Sequence, residues 1–160
     1  MRRLLPPIVV LLAGLLLLAA CGSAASAAAP PTIHYGVDVA DCGMIISDAR
    51  YAAGLVDQRG HTVLYDDTGE LATHVQSSGL GAQDHAWVHD YDSKSWLDAT
   101  SAFFVASEEL RPQTPMGTGV VAFKTRQQSE AFAADHHGTV MSWDELLTQW
   151  HSPAPAMKMP

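Results

Sequence analysis

The chain is short of positive charge, of cysteine and of long apolar runs, and each shortage excludes something. Nine lysines and arginines stand against seventeen aspartates and glutamates. Nucleic-acid phosphates need clustered basic side chains, so this balance excludes a nucleic-acid partner. The folded part has as little with which to hold an anionic bilayer by charge, and its acidity is mostly a solubility feature. The apolar stretch from Ile8 to Leu18 is shorter than the about 20 residues that a spanning helix needs. Gly-x-Ser-x-Gly, His-Glu-x-x-His and a glycine-rich phosphate loop are all missing, so no familiar catalytic constellation is present. Asp66-Asp67 and Asp90 to Asp92 lack the Asp-x-Asp-x-Asp-Gly series and closing Glu of a calcium loop. They read as turn and cap residues.

What is present begins with a leader. Arg2 and Arg3, the apolar stretch and Ala19-Ala20 predict an export signal over residues 1–20. The ending Leu18-Ala19-Ala20-Cys21 looks like a bacterial lipobox, which makes Cys21 the acylated N-terminus and anchors the chain on the extracytoplasmic (periplasmic or outer) face of the cell membrane. The alternative is an ordinary secretory signal with Cys21 disulfide-bonded to Cys42. Residues 21–31 are mostly Ala, Ser, Gly and Pro and predict a flexible tether. Residues 32–152 suffice for one compact domain, and 153–160 form a Pro-containing tail with Met157 and Met159. Removing Arg2 and Arg3 takes the basic residues to seven against seventeen acidic ones, and the formal charge to −10.

Two segments read as copies of one pattern. The first predicts strands at Tyr51 to Val56 and Thr62 to Tyr65, with a turn at Gln58-Arg59-Gly60. Asp67 and Glu70 have capping-box spacing ahead of a helix that carries Leu71 and Val75, and Gly79 closes it. Ala86 to Tyr91 supplies the third strand. The second predicts strands at Ala102 to Ala106 and Gly119 to Lys124, and a helix from the Thr125 and Gln128 cap through Ala133, ended by Gly138. Thr139 to Met141 is its returning strand. Trp96-Leu97-Asp98 lies between the copies as a short strand, and Ser142 with Glu145 caps a final helix bearing Leu146, Leu147 and Trp150. The expectation is an α+β fold, a tandem duplication of a ββαβ unit (about 42–92 and 95–150) with a short C-terminal helix.

Lipidation of Cys21 leaves Cys42 as the one internal cysteine, in the triplet Cys42-Gly43-Met44. Pro115-Met116-Gly117 presents a methionine from a turn. A thiolate with thioethers is a soft donor set that suits Cu(I) better than any hard cation. Bland readings stand beside this one: Cys42 as a buried, inert thiol or an intermolecular link, Met44 as core filler, Met116 folded back onto a sheet. Of the eight histidines, His34 is the best placed should a nitrogen ligand be needed. His136 and His137 suit a helix C-terminus, and His85 and His89 are widely separated for one ion. Cys42 with His34 as base could also form a nucleophile, although nothing in the spacing demands it.

Lipobox, Cys42-Gly43-Met44, Trp96-Leu97-Asp98-Ala99 leading to Phe103-Phe104-Val105, Pro115-Met116-Gly117, and Phe132 to Asp144-Glu145-Leu146, in this order, resemble the NosL family. Those proteins are lipid-anchored copper chaperones associated with nitrous oxide reductase assembly. The resemblance implies two similar ββαβ units and Cu(I) bound by Cys42 and Met116, with Met44 a lesser ligand. It also implies a copper-accepting enzyme or a copper-site assembly transporter as partner, and no enzymatic activity. Some relatives carry a further cysteine three residues before the triplet, where this chain has Val39, so a paired-thiolate site is not available. The competing readings are a lipoprotein interaction module with a buried thiol, and a thiol redox protein with a low-pKa thiolate.

Overall fold

The structure, a computed structural model, describes residues 29–110 and 113–152. The predicted leader, Cys21, most of the tether and the tail with Met157 and Met159 lie outside the described residues. Helices and antiparallel sheets alternate along the chain, so the fold is α+β.

The first sheet comprises β1 (Ala53–Val56), β2 (Thr62–Tyr65), β3 (His85–His89) and β4 (Trp96–Asp98), in the order β2-β1-β3-β4, all antiparallel. The β1–β2 turn is built by Asp57, whose carboxylate accepts from the Arg59 and His61 backbone N–H groups at 2.8 Å each. Helix α1 (Thr68–Ser78) joins β2 to β3 and ends at Gly79, whose N–H bonds the Val75 carbonyl. The second sheet comprises β5 (Phe103–Ala106), β6 (Val120–Phe123) and β7 (Thr139–Met141), in the order β6-β5-β7. Helix α2 (Arg126–His136) joins β6 to β7, and α3 (Trp143–Gln149) follows. In both sheets the first strand is central, the second pairs on one side, and the strand after the helix pairs on the other.

One core spans both sheets. Leu71 and Val75 of α1 pack with Val88, Phe104, Val120 and Leu146, all at most 4% exposed. Each such side chain contributes about 1.5–3 kcal/mol on leaving water, so α1 is held by this shared face far more than by its cap. Asp90, buried, ties the sheets together: its carboxylate accepts from Ser93 N and Lys124 N, while Tyr91 N donates to Ala122 O.

Apart from shifts of one or two residues at the ends of β3, β5 and β6, local expectations differ from the structure in three places. Tyr51 lies in a turn, its N–H directed at Asp48 O, so β1 starts at Ala53. Helix α2 runs on to His136, and the left-handed residue that ends it is His137, φ 51°, rather than Gly138. Gly138 is needed for packing, because a side chain there would collide with Val105. The boxes at Thr125/Gln128 and Ser142/Glu145 both form, but the one expected at Asp67/Glu70 does not. Asp67 accepts from Gly69 N, and its remaining capacity goes to a distant loop described next.

Candidate metal centre

Cys42 sits at the tip of a small ribbon over residues 36–46. Gly36 N donates to Ile46 O at 2.8 Å, Ile46 N to Asp38 O at 3.0 Å and Ala40 N to Met44 O at 2.8 Å. Val39 and Ile45 form the bridge between its two arms. Gly43, at φ +88°, takes the left-handed turn conformation that glycine adopts without strain. Ala40 and Ile46 are buried against Ala52, and Asp41 N donates to Leu64 O, which pins the tip to β2. The ribbon therefore holds an exposed Cys42 in a fixed place.

The end of β2 and the first turn of α1 meet that tip. Cys42 Sγ donates to Asp66 Oδ1 at 3.4 Å, and donor atoms of Cys42, Asp66 and Glu70 all lie within 4.8 Å of one another. Asp67, fully buried, faces the other way. Its Oδ1 accepts from Gly69 N and from the Thr118 hydroxyl, and its Oδ2 accepts from Met116 N at 3.0 Å. A side chain on Gly69 would collide with Thr118, so glycine lets this loop lie against the helix N-terminus. The loop turns with Gly117 N on Thr114 O at 2.9 Å. Cys42 and Met116, from opposite halves of the chain, thus line one cavity of about 330 Å³, with Asp41, Tyr65, Glu70, Thr73 and His74.

The electrostatics favour a protonated thiol. Partial desolvation most of all pushes the Cys42 thiol up; the Met44 N–H pulls the other way, and the carboxylates of Glu70 and Asp66 add smaller upward pushes. Glu70 is itself pushed up to about 7 by desolvation and by the facing carboxylates of Asp66 and Asp67. Asp66 Oδ2 and Glu70 Oε2 are buried with no donor supplied by the chain, and the facing Asp66 carboxyl helps Glu70 keep its proton. An activated nucleophilic cysteine needs the reverse shift, so the thiol-enzyme reading finds no support here. Nor is Cys42 buried, as the interaction-module reading required.

The other sequence candidates scatter. Met44 is 43% exposed beside the tip, neither core filler nor part of the cavity lining. Met116, at 44% exposure, is not folded into a sheet. His34 is paired with Asp38 at 3.2 Å and does not line the cavity, so the expectation that it is the best-placed nitrogen fails. His89 is buried, held by Ala52 O and the Tyr35 hydroxyl, while His85 stacks on Trp87. His136 packs on Phe132. Sequence reasoning missed Glu70 and His74 as lining groups and Asp66 as the partner of the Cys42 thiol. The one available signal was spacing: Glu70 and His74 lie one turn apart on a helix that starts at an Asp-Asp pair.

A sequence model of the NosL family matches residues 30–151. The copper-binding lipoprotein NosL of Stutzerimonas stutzeri is 29% identical over 114 residues, covering 66% of this chain. The chain spans 59% of the length of that relative. Among solved structures, the copper chaperone NosL from Shewanella denitrificans superposes with a TM-score of 0.65 over 77% of this chain and 98% of that one. At 18% identity this is a likeness of fold. The family match covers the domain from its first described residues through α3, and this chain belongs to the NosL family.

Proposed function

We propose that the chain is a membrane-tethered, extracytoplasmic Cu(I) carrier that hands copper to a cuproenzyme, namely nitrous oxide reductase or its assembly transporter, and catalyses no reaction itself. Copper is the cargo. Cys42 and Met116 are its ligands, with Met44 a lesser donor on the exposed side of the ribbon tip. The observation that carries this reading is the shared cavity: a thiol and a thioether, both soft donors, converge from opposite halves of the chain. The named relatives, a copper-binding lipoprotein and a copper chaperone, agree with it. The family resemblance supplies the client.

The chemistry follows from the donors. Copper binds thiolate, so uptake releases the Cys42 proton, and Asp66, which accepts from that thiol, is the nearest base. Two protein ligands leave a coordination position open, through which an acceptor ligand attacks before the first pair lets go. Cys21 anchors the chain through its acyl groups, because two chains hold stably where one is marginal. Among the described residues no helix is long and apolar enough to cross a membrane. The like strand orders β2-β1-β3 and β6-β5-β7 support a tandem duplication of one ββαβ unit.

The test is titration of the reduced protein with Cu(I) against a competing chelator. Wild type should take one ion per monomer. Cys42→Ser should lose tight binding with an unchanged circular dichroism spectrum, since the tip lies outside the core. Met116→Leu should bind about tenfold or more weakly while losing less than about 1.5 kcal/mol of stability. Unchanged affinity in a folded Cys42→Ser protein overturns the metal reading.

A further inference from the structure

The ribbon that carries Cys42 is apolar on both sides, although only one side is used by the fold. Ala40 and Ile46 point inward and are buried. Val39 and Ile45, opposite each other across the ribbon, point outward at 55% and 56% exposure. Val37 and Met44 flank them at 71% and 43%. With Tyr35 and Met116, these are the large hydrophobic side chains most exposed among the described residues. Exposed apolar residues scattered singly are ordinary; a run of them on one ribbon is a surface waiting for a partner.

We infer that this outer face rests on the lipid surface to which the chain is tethered. The inference depends on the acyl anchor at Cys21 proposed above. Pro31 is buried, its ring lying where a side chain on Gly54 would sit, so the chain is clamped to β1 from residue 31. The ten links back to Cys21 span at most about 35 Å in any conformation, comparable to the diameter of a domain of about 120 residues. Only five residues separate Pro31 from Val37. The bilayer therefore stands permanently within reach of the ribbon side of the domain.

Size and charge favour lipid over protein as the occupant. A stable protein interface uses about 20–30 residues a side, many more than this ribbon offers. A small face is sufficient when an anchor already supplies a high effective concentration. His34 and Asp38, at the base of the ribbon, bond each other. Asp41 is the exposed acid at the tip, so the face suits zwitterionic lipid better than anionic lipid. Seated in this way, Cys42 lies at the membrane plane, where a bilayer-bound copper donor or acceptor can meet it.

The protein as extracted from membranes is first weighed by mass spectrometry for acyl groups on Cys21. It is then placed in phosphatidylcholine nanodiscs with ¹³C-methyl valine and isoleucine, with and without 5-doxyl-phosphatidylcholine. The Val37, Val39 and Ile45 methyl signals should lose at least half their intensity to the spin label, while buried Val105 and Val121 keep theirs. In Val39→Ser/Ile45→Ser the loss at Val37 should shrink at least twofold. An unacylated Cys21 overturns both the anchor and the seat. An acylated protein whose ribbon methyls resist the label overturns the seat alone, and ribbon signals that shift only on adding a copper-accepting protein do the same in favour of a protein partner.

Discussion

Asp67→Asn should damage copper binding from a position that touches no copper ligand side chain. In the wild type, Oδ2 of this buried carboxylate holds Met116 N at 3.0 Å, and Oδ1 takes Gly69 N and the Thr118 hydroxyl. Asparagine can keep the Oδ1 bonds, but its amide NH₂ then faces the Met116 N–H, donor against donor. One charge-assisted hydrogen bond is lost and one N–H is left unpaired, which costs about 2–3 kcal/mol. For a domain of about 120 residues that lowers the melting midpoint by roughly 6–12 °C. The Met116 loop, left with only its Thr118 tie to the α1 cap, must be further ordered when copper binds, and a cost of about 1.4 kcal/mol weakens affinity about tenfold. The assay is chelator competition on four proteins: wild type, Asp67→Asn, Met116→Leu and the double variant. If Asp67 acts through Met116, its copper penalty should vanish in the Met116→Leu background while its stability penalty persists. A copper penalty of undiminished size in the double variant refutes the reasoning.

Two further expectations concern pH and have opposite signs. Glu70 keeps its proton to about 7 in the folded protein against an ordinary 4.5, so its contribution is present below about 4.5 and lost as pH rises to about 7. The full shift would correspond to about 3 kcal/mol, but Glu70 is only partly buried and solvent screening reduces this to about 1–2 kcal/mol. Glu70→Gln should therefore be the more stable protein at pH 8 by about that amount, as read by urea unfolding; equal stability there would dismiss the carboxyl pair as a strained element. His89 is pushed below its ordinary 6.5 by burial, so its contribution is present above about 6.5 and lost as pH falls through the lower folded value. Melting midpoints should fall on acidification below pH 6.5, and His89→Gln should flatten that fall; an unchanged slope in the variant would assign it to other groups.

Most of the fold was legible because its signals are local. The Thr125/Gln128 and Ser142/Glu145 boxes depend on residues three apart, and both form as read. The cap at Asp67 was legible for the same reason, but its box was not. A capping box competes with whatever else the two side chains can reach, and here tertiary partners win. Asp67 spends itself on Thr118 and Met116, about fifty positions away, and Glu70 turns to Asp66 and Cys42. Gly138 was placed correctly and explained wrongly: Val105 excludes a side chain there, a constraint no local pattern reveals.

The same contrast explains the candidate site. Cys42 and Met116 could be named from their types and turns, yet nothing local joins them, since one precedes the first sheet and the other follows β5. Their meeting depends on an asymmetry between two sheets of like order. The connection between β1 and β2 is a tight turn at Asp57, whereas the one between β5 and β6 is long and reaches across to the N-terminus of α1. The ribbon arrives at that helix end from the other side, fixed through Asp41 N on Leu64 O. Both donors therefore stand on segments added to the strand-and-helix pattern. The pattern supplies what they cannot supply themselves, a rigid helix end whose two adjacent aspartates face opposite ways, Asp66 to the thiol and Asp67 to the methionine loop. Exchanging or deleting either donor leaves the shared core of Leu71, Phe104 and Leu146 untouched, so this scaffold permits metal binding to be altered at little cost to folding.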